Sequence, residues 1–256
     1  MAVDLSSNYI LQYKCNDDAA NCTITNDGTS LTDGTAATNT SVMSITGKVN
    51  DAFAMLTSSN RYINTNLNFE DTFQDSFTIA TWVKPNSSTP STTQFFCGTQ
   101  ATAGGKNRAT VGYTTGGKVF ADYGDNANYT AAVANSATWT GTPPWTHIVA
   151  TFDETNGIKI AINGSFITLD GTNDGDMSSI AMANFSNTQD FYIGTWNNRG
   201  SVGSSKYSGY IDVVGIFDKE LSQSEIDFLY NSGDGTEAQK EDTSVAYNAL
   251  FFGSNF

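Results

Sequence analysis

The chain has 256 residues, of which 39% are hydrophobic, 12% aromatic and 15% charged. With 23 glycines, this composition is typical of all-β proteins built from short strands and polar turns, and its apolar content excludes intrinsic disorder. Twelve basic residues against 26 acidic ones give a net charge of −14, which repels phosphate backbones and excludes nucleic acid as a partner. No apolar run approaches the roughly 18 residues of a membrane span, so we expect no membrane insertion.

The first half of the chain predicts short strands separated by polar loops. An opening strand over residues 9–15 leads into an Asn, Asp, Thr and Gly-rich loop, in which Cys15 and Cys22 could close a small ring in an oxidising compartment. Further strands follow, and Gly116-Gly117 marks a hairpin. The predicted strands of this half cover residues 44–49, 52–56, 62–63, 76–85, 94–97, 110–113 and 118–123.

The second half predicts a tight antiparallel meander and one helix. Residues 145–152 alternate as a half-buried strand does, a turn follows, residues 158–162 return, and Asn163-Gly164 turns the chain again. Residues 191–194 and 207–217 give two more strands. A helix is predicted within 221–233, because Ser222 is an N-cap with Glu225 three residues later, apolar residues recur at helical spacing, and Gly233 is a stop signal.

Four of these segments together resemble a known family. In their order and spacing, residues 76–85, 145–153, 209–214 and 221–226 resemble a laminin G-like, concanavalin A-like domain of the lectin and glucanase superfamily. The resemblance implies an all-β fold, in which two antiparallel sheets form a jelly-roll sandwich with one short helix near the C-terminal end. We therefore predict a laminin G-like domain over residues 1–233 and a C-terminal docking tail over 234–256.

The residues of the chain argue against catalysis. Glucanases that share this fold use closely spaced carboxylates on one strand, in the pattern Glu-x-Asp-x-x-Glu, and the chain has no such run. Its one histidine, His147, lies within a predicted strand and is better explained as a satisfied sheet residue than as a metal ligand. Neither a Gly-x-Ser-x-Gly elbow nor a phosphate-binding glycine loop occurs. We predict that the protein is not an enzyme.

Asp212 is the most conspicuous single residue. It interrupts an apolar strand, so its side chain either faces the surface by alternation or is held by a cation. Relatives of this fold often bind a structural calcium ion through the equivalent acid and a loop near the N-terminus. In this chain Asn26, Asp27 and Gly28 supply such a loop, and calcium prefers six to eight oxygen ligands of mixed kinds. The resemblance thus implies one structural calcium ion.

A candidate ligand site follows the strand that ends at residue 194. The pentraxin branch of the superfamily carries a second calcium cluster at this place, but here the segment holds Trp196, Asn197 and Arg199. A tryptophan beside amides and an arginine can stack on a sugar ring and bond its hydroxyl groups. Trp139 is a second loop tryptophan. Core packing or a protein interface explains either tryptophan about as well.

Residues after 233 change in character. A polar, acidic stretch is followed by an aromatic end that is expected to pack on its own domain or on a neighbour. The residues predicted to bind a partner there are Tyr247, Leu250, Phe251, Phe252 and Phe256.

Two functional hypotheses follow. The first is a non-catalytic virion surface protein, a phage capsid decoration or fibre-associated module with a lectin-like fold that can bind host glycans. The N-terminus lacks a secretion signal, which favours production in the host cytoplasm. The second is a carbohydrate-binding or adhesion module of a bacterial surface protein, which would be extracellular. The expected partners are capsid or other virion proteins, or a cell-surface glycan, and association into homo-oligomers is left open. A glycosidase with unrecognised acids is the least favoured alternative.

Overall fold

The computed structural model describes residues 2–102 and 104–241, except for the side chain of Thr57. It contains strands and three short α-helices, α1 (Thr40–Met43), α2 (Glu70–Phe73) and α3 (Gln223–Tyr230). The strands are β1 (Tyr9–Tyr13), β2 (Thr23–Ile24), β3 (Gly34–Ala36), β4 (Ser44–Thr46), β5 (Asp51–Met55), β6 (Ile63–Asn64), β7 (Phe77–Pro85), β8 (Gln94–Gln100), β9 (Asn107–Tyr113), β10 (Val119–Asp125), β11 (Tyr129–Ala134), β12 (Thr146–Asp153), β13 (Gly157–Ile162), β14 (Ser165–Phe166), β15 (Leu169–Asp174), β16 (Tyr192–Ile193), β17 (Asn197–Asn198), β18 (Ser201–Val202) and β19 (Gly209–Phe217).

The strands form two sheets packed face to face. The first sheet has the order β14-β13-β12-β7-β19-β5-β4, and β1 pairs with the second half of β19. The second sheet has the order β15-β11-β10-β9-β8-β16-β6-β3-β2, with the small β17-β18 hairpin on the edge of β8. The pairs are antiparallel apart from β17 with β8. The predicted jelly-roll sandwich with a short helix near its C-terminal end is confirmed.

The core lies between the sheets, where each strand directs alternate side chains. On β7 and β12, Phe77 and Phe152 face inward and stack with ring centroids 4.3 Å apart. Tyr123 of β10 packs against both rings from the second sheet, and Phe185 stacks on Tyr123. Each fully buried side chain of this size contributes about 1.5–3 kcal/mol, so this aromatic cluster holds the two sheets together.

Helix α3 and the turn after it begin and end where the sequence predicts. The backbone N–H and the hydroxyl of Ser222 both donate to the Glu225 carboxylate, each at 2.8 Å, which closes the N-terminal turn. The α-helix ends at Tyr230, because Asn231 adopts a left-handed conformation with φ of 47°. A 3-10 turn over Asn231–Gly233 follows, so the helical segment as a whole ends at the predicted stop, Gly233.

Residues 234–241 lie along the N-terminal part of the chain. The amide of Gln12 donates to the Glu237 carbonyl at 2.9 Å, and the Leu5 N–H donates to the Gln239 carbonyl at 2.7 Å. The Glu241 N–H donates to the Val3 carbonyl at 2.9 Å. The described part of the predicted tail, residues 234–241, is thus hydrogen-bonded to the predicted domain. The predicted partner-binding residues of the tail lie outside the described residues: Tyr247, Leu250, Phe251, Phe252 and Phe256.

Cys15, Cys22 and Cys97 are free thiols, so the ring between the first two does not form here. Across residues 2–102 and 104–241, no helix has the length and apolar character needed to cross a membrane.

Candidate functional site

The outer face of the second sheet carries side chains that lie outside the core between the sheets, and two of them, Phe95 and Phe120, are only 8% and 6% exposed. On β8, Phe96 and Cys97 belong to the core while Phe95 does not, and on β10 the core takes Ala121 and Tyr123. Alternation therefore directs Phe95, and on β10 Phe120 and Asp122, to the opposite side. These outward residues form two adjoining groups on β8, β9 and β10.

The first group is an aromatic platform, formed by Trp196, Phe95 and Phe120. Trp196 stacks on Phe95 with centroids 5.0 Å apart, and Phe95 meets Phe120 edge to face at 5.4 Å. Gly112 lies between the two phenylalanines in register, so no side chain on β9 separates their rings. A Cβ at Gly112 would lie 3.0 Å from the Phe120 ring and 2.2 Å from the Gln94 carbonyl oxygen. The half-buried Trp196 is thus fixed in orientation before any ligand binds.

The second group, the Arg108 cluster, consists of Arg108, Thr110, Asp122 and Tyr129. Asp122 is 3% exposed, and its carboxylate accepts hydrogen bonds from Arg108 Nη2 at 2.7 Å and Thr110 Oγ1 at 2.5 Å. The Arg108 guanidinium lies 4.2 Å from the ring centre of Tyr129. Gly124 of β10 pairs with Arg108 of β9 on one side and with Tyr129 of β11 on the other. Because glycine has no side chain, Arg108 can reach across it to Tyr129.

The electrostatics of the Arg108 cluster follow from its burial. Burial raises the pKa of Asp122, while Arg108 and Thr110 lower it. Removal of Arg108 or of Asp122 would leave the charge of the other without compensation on this face. Arg108 Nε is buried without a hydrogen-bond partner, whereas Nη1 makes no hydrogen bond within the described part of the chain and is not among the buried unsatisfied atoms. Since the side chain is 18% exposed, Nη1 is the donor that the guanidinium keeps for a ligand.

The structure brings together part of the predicted Trp196, Asn197 and Arg199 site. Trp196 belongs to the aromatic platform, and Arg199 is exposed in the β17-β18 turn, with its N–H bonded to the Gln100 carbonyl. Asn197 is 2% exposed, and both polar atoms of its side chain bind the backbone. Its Nδ2 donates to the Asp190 carbonyl, and its Oδ1 accepts a hydrogen bond from the Gly200 N–H. Asn197 therefore shapes the turn and is not free to bind a ligand.

Trp139 lies in the core, and its prediction as a ligand-binding residue is wrong. The side chain is 4% exposed and packs edge to face against Phe96 and Tyr113. Its Nε1 donates to Thr146 Oγ1 at 2.8 Å, so its polar atom is also satisfied internally. Of the two explanations left open for this tryptophan, core packing is the one that holds.

Asp212 is fully buried, whereas the alternation alternative expected its side chain at the surface. Its Oδ2 accepts the backbone N–H groups of Lys48 at 2.8 Å and Val49 at 2.9 Å, so the carboxylate fastens the turn between β4 and β5 to β19. Its Oδ1 has no partner. Burial raises the pKa of Asp212 to about 7, although the two N–H groups lower it. Asp212 follows the alternation of β19, because Ile211 faces the core while Asp212 shares the opposite face with its register partner Trp82, where the β4-β5 turn covers it.

The predicted calcium ligands do not converge. Asn26 Oδ1 already accepts the N–H groups of Gln12 and Gly28, and the Asp27 carboxylate pairs with Lys14 at 3.2 Å. This loop binds the edge of β1 that faces away from β19, so about two strand spacings, roughly 10 Å, separate it from Asp212. Oxygen ligands lie 2.3–2.6 Å from calcium, so one ion cannot bridge that gap. In the part of the chain that is described, no three His, Cys, Asp or Glu side chains gather as a metal site.

His147 is a buried sheet residue, although one of its nitrogens is unsatisfied. Its ring centre lies 5.1 Å from that of Trp82 and 6.1 Å from that of Tyr230, and those two rings also stack on each other at 5.8 Å. Burial lowers the pKa of His147 to about 3, and its Nδ1 has no partner. It therefore stays neutral at physiological pH and takes no part in the outer face.

Sequence reasoning missed Phe95, Phe120, Arg108, Asp122 and Tyr129. A signal was present, because alternation from the core residues of β9 and β10 places Arg108, Thr110 and Asp122 on the outward side. The predicted hairpin began at residue 110, which left Arg108 outside the strand. Tyr129 opens a strand that was not predicted.

The sequence profile of a concanavalin A-like lectin/glucanase family matches residues 57–227, two thirds of the chain. The chain belongs to the concanavalin A-like lectin/glucanase superfamily. Members of the superfamily share the two-sheet jelly roll described above, so the family resemblance read from the four sequence motifs is confirmed. Comparison with curated protein sequences gives no match.

Solved structures support the same fold. The binding domain of Paraclostridial Mosquitocidal Protein 1 has a TM-score of 0.64 and 15% identity, with 90% of this chain and 53% of that chain covered. Trypanosoma rangeli sialidase, solved with 2,3-difluorosialic acid, has a TM-score of 0.62 and 17% identity, covering 90% and 34%. The binding domain of botulinum neurotoxin serotype D has a TM-score of 0.60 and 13% identity, covering 89% and 52%. The chain thus spans about half of the toxin domains and a third of the sialidase.

Proposed function

We propose that this protein is a non-catalytic binding module that holds a saccharide on the outer face of its second sheet. The observation that carries the proposal is that the aromatic platform adjoins the Arg108 cluster. Phe120 of the platform and Asp122 of the cluster are successive residues on the outward side of β10. A fixed aromatic ring offers a stacking surface to the apolar face of a sugar ring, and the adjoining guanidinium offers hydrogen-bond donors to its hydroxyl groups.

The similar structures favour a binding role. Two of the three are named as binding domains of toxins, and this chain aligns with them over most of its own length. Fold alone does not carry function, so the proposal depends on the residues of the outer face.

The carboxylate of this face, Asp122, and two carboxylates at a hairpin of the first sheet have structural partners, which supports a module without hydrolytic activity. Asp122 is held by Arg108 and Thr110 and has no second carboxylate within the cluster, whereas retaining glycosidases place two about 5 Å apart. Asp153 and Glu154, at the tip of the β12-β13 hairpin, accept backbone N–H groups of the turn and of Met182.

The first prediction concerns Trp196. On a printed array of neutral and acidic oligosaccharides, the full chain should bind a subset, and Trp196→Ala should lower the affinity for those glycans at least about tenfold, which corresponds to 1.4 kcal/mol. Calorimetry with the best-bound oligosaccharide measures the change. The same sugars should release no reducing ends during prolonged incubation with the protein.

Trp145→Ala is the matched control. Trp145 is a half-buried tryptophan that precedes β12 in the first sheet and packs against Tyr210 at 6.3 Å, away from the outer face. Its loss should leave glycan binding unchanged. Equal losses in both variants, or no bound glycan at all, would refute the proposed function.

The virion hypothesis concerns where such a module would operate. The lectin-like fold is compatible with a capsid decoration or fibre-associated protein that binds host glycans, and equally with a bacterial surface adhesin. Capsid partners, a virion location and an extracellular location remain predictions, which a mass-spectrometric inventory of the native assembly tests. Calcium binding also stays a prediction, now without a ligand set, and elemental analysis of the purified protein tests it.

A further inference from the structure

We propose that the outer face selects neutral over acidic saccharides, and that Asp122 is the residue that sets this preference. The inference rests on the proposed function and names the class of ligand for the same face.

Asp122 compensates the charge of Arg108 before a ligand arrives. The carboxylate is 3% exposed and lies 2.7 Å from Arg108 Nη2, so the two opposite charges interact in a poorly solvated place. The cluster therefore offers a ligand the planar guanidinium of Arg108 as a hydrogen-bond donor, with its charge already paired by Asp122. The uncharged hydroxyl groups of a sugar can accept hydrogen bonds from such a donor.

An acidic sugar would meet two sources of repulsion. A ligand carboxylate or sulfate that reached Arg108 would come close to the Asp122 carboxylate, and like charges at short range raise the free energy of the complex. The protein as a whole carries a net charge of −14, which repels anions at longer range. Arg199 is exposed at the edge of the face, where solvent and salt screen its charge.

Asp122→Asn tests the role of this carboxylate. The asparagine has nearly the same shape, and its oxygen can still accept from Arg108 or Thr110, but the compensating charge is gone. The array carries matched pairs, oligogalacturonate with its methyl ester and dextran sulfate with dextran, besides the glycans found with the unmodified protein. We expect the unmodified protein to prefer the neutral member of every pair it binds. In Asp122→Asn the ratio of acidic to neutral affinity should rise at least about tenfold.

Asp190→Asn is the matched control. Asp190 lies two residues before β16, the strand next to β8, and accepts a hydrogen bond from Asn64 at 3.0 Å. No arginine within the described residues pairs with it. Its replacement changes the net charge by the same amount without uncovering a guanidinium. An equal shift in both variants would show that overall charge, and not Asp122, sets the preference.

The outcomes separate the two proposals. If the unmodified protein binds acidic members as well as neutral ones through Trp196, or if the ratio in Asp122→Asn is unchanged, the neutral preference is refuted and saccharide binding stands. If no glycan is bound, or Trp196→Ala binds normally, saccharide binding itself is refuted and the preference falls with it. Circular dichroism and thermal melting confirm that each variant is folded.

Discussion

Because Asp212 is buried, its titration makes the stability of the fold depend on pH. Its folded pKa of about 7 stands above the ordinary 3.8, so between those pH values the folded protein retains a proton that the unfolded chain has released. The free energy of unfolding therefore falls as the pH rises, by up to about 1.4 kcal/mol per pH unit for this group, and levels off above pH 7. His147, with its pKa lowered to about 3 from 6.5, acts in the opposite direction between those values.

Asp212→Asn should remove the fall in unfolding free energy that Asp212 causes as the pH rises. An asparagine oxygen can still accept the N–H groups of Lys48 and Val49, so the turn stays attached to β19. The difference in unfolding free energy, variant minus unmodified protein, should increase from about pH 4 to about pH 7 and then stay constant. Urea denaturation at several pH values measures it. A difference that does not depend on pH would show that Asp212 titrates normally.

At single residues, sequence reasoning found the right positions more often than the right roles. Asp212 stood out because a charged residue interrupts an apolar strand, and alternation correctly places it on the face of β19 opposite Ile211. The β4-β5 turn covers it on that face, and no local sequence pattern foresees that cover. Trp139 and Trp196 both follow strands in the sequence. Only the fold distinguishes them, because Trp139 reaches between the sheets to Thr146 while Trp196 lies over Phe95.

Among the elements, helix α3 depends on its N-terminal cap. The Glu225 carboxylate accepts from Lys219 Nζ at 2.7 Å as well as from Ser222, and although burial raises its pKa, these hydrogen bonds leave the pKa of Glu225 below its ordinary value. Glu225→Ala should lower the free energy of unfolding by about 1 kcal/mol, as the loss of a cap typically does. Asp227→Ala, on the same helix outside the cap, should change it by less than about 0.5 kcal/mol. Urea midpoints compare the two, and equal losses would mean that the cap is not the source.

Elements were predictable where their pattern was strong. Strands β12 and β13 alternate around a clear turn, whereas β11 is rich in alanine and β15 reads Leu-Asp-Gly-Thr-Asn-Asp, which resembles a loop. The edge strand β15 forms because β11 offers it hydrogen-bond partners, and that information is not local in the sequence. Tyr129 was missed for this reason, and with it one side of the Arg108 cluster.

At the scale of the whole molecule, the same architecture separates stability from binding. The faces that meet between the sheets hold the aromatic core, while the outer face of the second sheet bears the aromatic platform and the Arg108 cluster. Four sequence motifs were sufficient to predict the sandwich, because they mark strands that must pair in order. They said nothing of the outer face, since its residues are brought together by register across β8, β9 and β10.

The final prediction concerns the two ends of the chain. A protein ending at residue 241 keeps the hydrogen bonds that join residues 234–241 to Val3, Leu5 and Gln12, so its melting temperature should match that of the full chain. A protein ending at residue 233 loses those bonds and should unfold with about 2–4 kcal/mol less free energy, at 0.5–1.5 kcal/mol for each bond.

The aromatic residues beyond 241 should matter for association instead. Burial of two or three such side chains in a partner would contribute several kcal/mol at about 1.5–3 kcal/mol each, before the cost of ordering the segment. The chain ending at 241 should therefore fold normally and fail to join its particle or oligomer, as light scattering and co-purification with the native assembly would show. Normal assembly without residues 242–256 would rule out a docking role for them. A loss of folding would show instead that the sandwich itself needs these residues.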